Sequence, residues 1–192
     1  MAAPSFVRAR HMKSRLEAIR QLPAADAERV LARIPAELQR RVAEAASIEW
    51  IDMNVDLDVT RAIYLGLGQA RFERFFRDAQ AEAFSGPLLK VFVEAVLRVF
   101  RVDAAAFAGW VGKGWPLVFR NCGTWRVERV TPGDVRLRLE GLPPECATHD
   151  IWLRSVSHSL TAFFQVAKEP GECTLEAMDP AAGTATYRIS WR

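Results

Sequence analysis

Cysteine is scarce in this chain, and the few cysteines form no recognisable motif. Three are present among the 192 residues, at Cys122, Cys146 and Cys173. They are an odd number at wide spacings without a CxxC pair, which excludes a disulfide framework and a zinc ribbon. Reduced thiols are typical of cytoplasmic proteins, and we therefore expect this protein to be cytoplasmic.

Histidine is equally scarce, and its three copies match no metal-binding or catalytic motif. None belongs to an HExxH pair. His158 has Ser157 and Ser159 on either side and Ser155 nearby, but the sharp nucleophile elbow and the orienting acid that activate a serine are missing. We therefore expect no bound metal, no cofactor and no enzymatic activity.

Long apolar runs are missing as well. No stretch approaches the roughly 20 apolar residues that span a bilayer, and the first residues lack the apolar run and cleavage site of a secretory signal. Half of the residues are nevertheless apolar, including 11 Phe and 6 Trp, which is enough for a sizeable core. At this length we expect a single soluble domain over residues 1–192.

Positive charge is concentrated at one end of the chain. The net charge is +3, and residues 1–20 alone carry about +4. A nucleic-acid-binding domain normally shows a basic face throughout, so we expect no nucleic-acid partner. The basic segment is either a solvated helix face or a surface for an anionic partner, with contact to a membrane the less favoured alternative. The residues of this candidate surface are Arg8, Arg10, Lys13 and Arg15.

Alternating polar residues in the string IDMNVDLDVT (51–60) are similar to the start of a calcium-binding loop. The central glycine of such a loop is replaced here by Leu57, and its bidentate glutamate by Ile63. Helix capping is therefore the favoured interpretation. We expect Asp56 or Asp58 to cap a helix that runs through Tyr64.

The first half of the chain, residues 1–121, has mostly helical periodicity. Apolar residues recur at helical spacing from Phe6 to Ile19, and Pro23 ends that helix. An irregular stretch is expected around 50–54. Further helices are predicted over 24–33, 35–45, 69–83 and 87–101.

Small residues surround four aromatic side chains in the segment 103–121. Its alanines and glycines predict a short helix that Gly112 and Gly114 end, and Pro116 then begins a second short turn of helix. Small side chains allow either tight helix packing or unfilled space beside the rings. Both alternatives remain open from the sequence.

Residues 122–192 change to the period of two that is typical of strands. Val135, Leu137 and Leu139 alternate with charged residues, and the turn string TPGD (131–134) joins them to an extended run from Trp125 to Val130. A helix over 149–167 and strands over 173–178 and 184–191 follow. We expect the alternating apolar residues to face the core, together with Tyr187, Ile189 and Trp191.

The order of elements is therefore helices, β, β, α, β, β. It predicts an α+β fold in which N-terminal helices and a β-β-α-β-β unit form an antiparallel sheet with helices on one face.

Several strings along nearly the whole chain resemble a protein family found mainly in myxobacteria. They are VRARHMKSRLEAI, TRAIYLGLG, WPLVFRNCGT, VTPGDVRLRLEGLPP and TYRISW. That family resembles the 4-vinyl-reductase domain, and through it the fold shared by haem-nitric-oxide-binding domains and Golgi transport-particle subunits. The resemblance implies an α+β domain with a pocket between helices and sheet, and self-association into a homo-oligomer.

The chain departs from these relatives at two places. Positions near the last turn that carry cysteine in some relatives correspond to Ala177 and Ala185 here, which argues against a metal or redox role. The haem-binding branch needs a proximal histidine and a Tyr-x-Ser-x-Arg string, and this chain has neither. We therefore expect no haem.

These observations favour a non-enzymatic binding domain with a hydrophobic groove between 103–121, 149–167 and the sheet. The expected occupant is a small apolar ligand or an amphipathic element of a partner protein. The alternative is an assembly or adaptor protein that acts through protein contacts and has no small-molecule site. The candidate ligand-binding residues are Phe107, Trp110, Trp115, Phe119, Trp152 and Val156.

Overall fold

The computed structural model describes residues 3–85, 104–167 and 170–191. In chain order the elements are β1 (Phe6–Arg8), α1 (Ala9–Arg20), α2 (Ala24–Leu31), α3 (Ala36–Glu44), β2 (Trp50–Asp52), α4 (Met53–Leu67), α5 (Gln69–Ser85), α6 (Ala104–Val118), β3 (Phe119–Arg120), β4 (Thr124–Thr131), β5 (Asp134–Glu140), α7 (Pro144–Ala147), α8 (Asp150–Ala167), β6 (Gly171–Asp179) and β7 (Thr184–Trp191). The helix predicted over 87–101 lies outside the described residues.

The larger sheet has four antiparallel strands in the order β4-β5-β7-β6. The alternation read from the sequence is confirmed, because Val135, Leu137 and Leu139 are fully buried while the arginines between them are not. Tyr187 and Ile189 are also fully buried. Helix α8 packs on this sheet and α5 packs on α8. The predicted α+β architecture is therefore confirmed.

The hairpin between β4 and β5 depends on a glycine. Gly133 has a φ of +73°, in the left-handed region that favours glycine. A Cβ at this position would also lie 2.7 Å from the carbonyl oxygen of Trp191. The predicted turn therefore fits closely against the end of β7.

A second sheet, β2-β1-β3, was not predicted. Phe6 and Val7 were expected in the first helix, and 50–54 was expected to be irregular. Instead β1 pairs with β2 and β3, and Val7, Ile51 and Phe119 point into the core. The sequence prediction was wrong here because strands of two or three residues are too short to show a period of two.

Helix α6 is also longer than predicted. Gly112 and Gly114 do not end it, and Pro116 lies inside the helix. Pro116 lacks the N–H that would bond the carbonyl of Gly112, and its ring crowds that carbonyl, so the helix continues only to Val118. Trp110, Trp115 and Leu117 are thereby held on one continuous helix.

None of the described helices is long and apolar enough to cross a membrane.

Candidate functional site

Aromatic rings from four elements converge at the C-terminal end of α6. The ring centroid of Trp115 lies 4.3 Å from that of Phe119, 5.4 Å from Trp125 and 6.0 Å from Trp152. Phe119 and Trp152 are 5.8 Å apart and edge-to-face. These are the separations at which aromatic pairs attract one another. We call Trp115, Phe119, Trp125 and Trp152 the aromatic cluster.

Two of the three indole groups of the cluster are fixed by hydrogen bonds. Trp115 donates its Nε1–H to the carbonyl of Cys122 at 3.1 Å, which fixes α6 against the loop after β3. Trp152 donates its Nε1–H to Asp56 Oδ2 at 2.9 Å and is 1% exposed. Trp115 itself is half-buried. The cluster therefore has one ring deep in the core and one ring at its edge.

Three of the predicted ligand-binding residues, Trp115, Phe119 and Trp152, are brought into contact by the fold. Trp110 is half-buried and packs on Phe163, with ring centroids 5.6 Å apart. Val156 is 7% exposed on α8. Phe107 lies in the first half of α6, where the structure describes only the backbone.

Three glycines lie on α6 near these rings. Among the described residues, a Cβ built on Gly109, Gly112 or Gly114 would have no heavy atom within 4 Å beyond its own helix backbone and chain neighbours. None of the three has a positive φ, so backbone conformation does not require glycine there. Gly112 and Gly114 are two residues apart and so lie on nearly opposite sides of α6, which means that the glycines keep the helix narrow on more than one side.

A buried polar network is joined to the aromatic cluster through the hydrogen bond between Trp152 and Asp56. The carboxylate of Asp56 is fully buried and accepts hydrogen bonds from Arg15 Nη1 and from Trp152. Arg15 also donates to Thr60 Oγ1 at 3.2 Å and contacts His11 Nε2 at 2.8 Å. The network joins α1, α4 and α8. It was missed in the sequence, where Asp56 was assigned to helix capping.

The residue that caps α4 also differs from the prediction. Asp52, not Asp56 or Asp58, caps α4, because its Oδ1 accepts the N–H of Asn54 at 2.9 Å. The helix therefore begins at Met53. Asp56 then falls on the buried side of the first turn.

The predicted anionic-partner surface also needs a correction, because it included Arg15. Its side chain is 9% exposed and paired with Asp56, so it is not available to a partner. Arg10 is exposed, and Arg8 and Lys13 are half-buried. Arg15 differs because it lies on the apolar face of α1 with Met12 and Leu16.

The state of His11 follows from its neighbours. A guanidinium only donates hydrogen bonds, so His11 Nε2 is the acceptor and the ring is neutral. Burial of the ring, together with the positive charge of Arg15, lowers the pKa of His11 to about 4. The ring also packs edge-to-face on Phe119, at 5.7 Å.

This pKa predicts how stability depends on pH. The unfolded chain takes up a proton at His11 below about pH 6.5, whereas the folded chain does so only near pH 4. The contribution of neutral His11 is therefore fully present above pH 6.5 and is lost as the pH falls towards 4, at a cost on the order of 3 kcal/mol. We expect His11→Gln to flatten the dependence of the unfolding free energy on pH in this window, as measured by urea denaturation at several pH values.

The other two histidines also have lowered pKa values, for which burial is the main cause. They remain in the His11→Gln variant, so only the difference from wild type reports on His11. If the unfolding free energy depended on pH equally in the wild type and in His11→Gln, the lowered pKa of His11 would be contradicted.

A polar cleft lies on another side of α8. It has a volume of about 400 Å³ and is bounded by the start of α5, the first half of α8 and β6. His158 is half-buried in it, and the charges nearest to that ring are Glu73, Arg77 and Arg154. The cleft is lined by Tyr64, Gln69, Phe72, Glu73, Asp150, Ile151, Arg154, Ser157, His158, Cys173, Thr174 and Leu175.

Two of the three serines near His158 form hydrogen bonds to the backbone of their own helix. Ser155 and Ser157 each donate to the carbonyl three residues earlier, at 2.7 Å. Neither hydroxyl donates to a histidine, so neither is arranged as the nucleophile of a serine hydrolase.

Comparison with solved structures shows the fold. An Fe(II) unliganded H-NOX protein from K. algicida has a TM-score of 0.61 at 12% identity, over 96% of both chains. An oxygen-binding H-NOX domain related to soluble guanylate cyclases, in its oxygen complex, has a TM-score of 0.57 at 9% identity, over 96% of this chain and 95% of that chain. No family model and no curated protein matches the chain. The α+β fold implied by the resemblance is therefore confirmed.

Two other similar structures concern haem: one haem distortion in the H-NOX family, and one haem redox potential and porphyrin distortion. The surroundings of the three histidines of this chain show whether they could bind haem iron. His11 Nε2 is bound by Arg15. His149 Nδ1 accepts the N–H of Trp152 at 3.0 Å, so the proton of the neutral ring is on Nε2, which has no lone pair for iron. His158 faces a cleft lined by charged groups. The residues present do not fit a haem.

Proposed function

We propose that this chain is a non-enzymatic binding domain that takes a small apolar ligand at the aromatic cluster. The observation that carries the proposal is the half-buried ring of Trp115, which stands at the edge of the aromatic cluster on a helix that also carries three glycines. Apolar sites with few polar groups suit hydrophobic ligands. The ligand would lie along α6 and contact Trp110, Trp115 and the neighbouring rings.

The fold supports a ligand-binding role of this kind. One of the similar structures is an oxygen-binding H-NOX domain in its oxygen complex, so a protein with a similar fold holds a small ligand. Since haem does not fit here, the proposal is that the aromatic side chains receive a different, apolar ligand. A sensing or carrying role in the cytoplasm, and self-association, belong to the same proposal.

Membership of the myxobacterial family, and the links to 4-vinyl-reductase domains and transport-particle subunits, remain proposals that rest on the matching strings in the sequence. They favour an apolar ligand pocket in an α+β domain.

The test is saturable quenching of tryptophan fluorescence by a bromine-substituted fatty acid. We expect wild-type protein to be quenched, and Trp115→Ala to bind at least about tenfold more weakly, because a ring is worth roughly 1.5–3 kcal/mol of apolar contact. Leu117→Ala is the matched control, since Leu117 is on the same helix and is 69% exposed. Circular dichroism checks that both variants are folded.

Native mass spectrometry of the protein from cell extract completes the test. A retained small molecule supports the proposal, and a dimer mass supports self-association. Absence of saturable quenching in the wild type, with no retained molecule, would favour the adaptor alternative, in which the rings serve packing and protein contacts only.

A further inference from the structure

Basic side chains gather on the outer surface of the small sheet. The guanidinium carbons of Arg8 and Arg120 lie 3.7 and 5.0 Å from the ring centroid of Trp50. Lys13 donates to the carbonyl of Ala43 at 2.9 Å, which places it along the segment before β2. The set includes one further residue from α1 and one from α6. We call these residues the basic patch: Arg8, Arg10, Lys13, Lys113 and Arg120.

Two exposed aliphatic side chains flank the basic patch. Ile48 is 81% exposed and Leu117 is 69% exposed. Arg8 joins them, because its Nη1 donates to the carbonyl of Ile48 at 2.6 Å and its Nε donates to the carbonyl of Leu117 at 3.4 Å. The backbone at Ile48 and at Leu117 is therefore bonded to the same guanidinium, which lies over the ring of Trp50.

The cations of the patch form no close ion pairs within the described part of the chain. No salt bridge among the described residues includes any of its five cations. Glu49 forms its ion pair with Arg41, although its charge also interacts with Lys13, and Asp52 accepts the N–H of Asn54. The surface thus offers positive charge together with apolar contacts.

We propose that the basic patch, with Ile48 and Leu117, docks an acidic segment of a partner protein that carries aliphatic side chains. Interface centres are enriched in Trp and Arg and depleted in Lys. Here the centre is Trp50 between two arginines, and the lysines come from the neighbouring helices. Arginine also binds carboxylates through two parallel hydrogen bonds.

A protein partner fits this surface better than an anionic membrane. The side chain of Arg8 is fixed on Trp50 by two carbonyl acceptors, so it cannot extend to follow lipid headgroups. A partner with carboxylates at matching positions meets the fixed guanidinium without rearrangement. This surface is separate from the proposed ligand site, and its test does not depend on a ligand.

The test measures binding of a labelled synthetic peptide of Glu and Leu residues by fluorescence anisotropy. We expect binding at low salt that weakens as salt is raised, because exposed charges are screened. The variant Arg10→Gln/Arg120→Gln should bind about tenfold more weakly, mainly through slower association. Ile48→Ser/Leu117→Ser should weaken peptide binding by a similar factor, with a smaller change in the salt dependence of binding.

A matched control comes from another surface of the molecule. Arg33→Gln/Leu65→Ser removes one exposed charge and one aliphatic side chain that is 55% exposed, and it should bind like wild type. Equal binding of a peptide with Gln in place of Glu, equal loss in the control, or no salt-sensitive binding would overturn the proposal. Stronger binding to phosphatidylserine vesicles than to the peptide would overturn the assignment to a protein partner.

Discussion

Asp56→Asn is expected to lower the free energy of unfolding by about 3–5 kcal/mol. The carboxylate is fully buried and holds both Arg15 and Trp152. An amide keeps the shape but leaves the guanidinium of Arg15 buried without a counter-charge. Urea denaturation followed by circular dichroism measures the loss as a shift of the midpoint at unchanged slope.

Asp58→Asn is the control for this substitution. It removes the same charge two residues later on α4, where the side chain is exposed, and it should change stability by less than about 0.5 kcal/mol. A similar effect of the two variants would show that Asp56 acts only through the general charge of the helix. The structural role assigned to the buried ion pair of Arg15 and Asp56 would then be wrong.

The larger sheet could be predicted because its strands are long enough to show their period. Val135, Leu137 and Leu139 alternate with charges over a full strand, and the predicted facing is the one observed. The sheet β2-β1-β3 could not be predicted in this way. Its strands are stabilised by pairing between residues far apart in sequence, such as Val7 with Ile51 and Phe119, and such contacts leave no local pattern.

The candidate site was predicted in part. Trp115, Phe119 and Trp152 were placed together from the small-residue composition of 103–121 and the apolar stripe of the later helix, and the structure brings them into contact. The participation of Trp125 was missed, because β4 is an edge strand with little alternation in its burial. Its contact depends on sheet order rather than on neighbours in sequence.

A signal for the buried network was present in the sequence. Arg15 lies at helical spacing among Met12, Leu16 and Ile19, and Asp56 lies between Met53 and Leu57. A charge on the apolar face of each of two helices, with opposite signs, is the pattern expected of a buried ion pair. The acidic string is similar to a calcium loop and to a helix cap. The position of Asp56 among the buried apolar residues of its helix is the more informative feature.

The proposed ligand site and the proposed docking surface share helix α6. Trp115 faces the aromatic cluster, while Leu117, two residues later, is exposed and its carbonyl accepts from Arg8. A ligand that displaced Trp115 would therefore act on the same helical turn that carries part of the docking surface. A sensor could use this geometry to change partner affinity, since a ligand shifts only those contacts that differ between two states.

Trp152→Ala is expected to cost about 3–5 kcal/mol of unfolding free energy. Its ring is 1% exposed and lies against Trp115 and Phe119, and its N–H is bonded to Asp56. The substitution therefore leaves a cavity and removes a hydrogen bond to a buried charge. Trp152→Phe fills most of the cavity and should cost less, about 1.5–3 kcal/mol, because the lost hydrogen bond dominates.

The neighbouring residue provides the control for Trp152. Ile151 is half-buried on the polar-cleft side of α8, and Ile151→Ala should cost clearly less than Trp152→Ala, since little of the core depends on it. If Trp152→Phe behaved like wild type, the hydrogen bond to Asp56 would contribute nothing to stability.

Combining Trp152→Phe with Asp56→Asn should cost less unfolding free energy than the sum of the two single substitutions, because both remove the same hydrogen bond. Additive losses would contradict the coupling between the aromatic cluster and the buried ion pair.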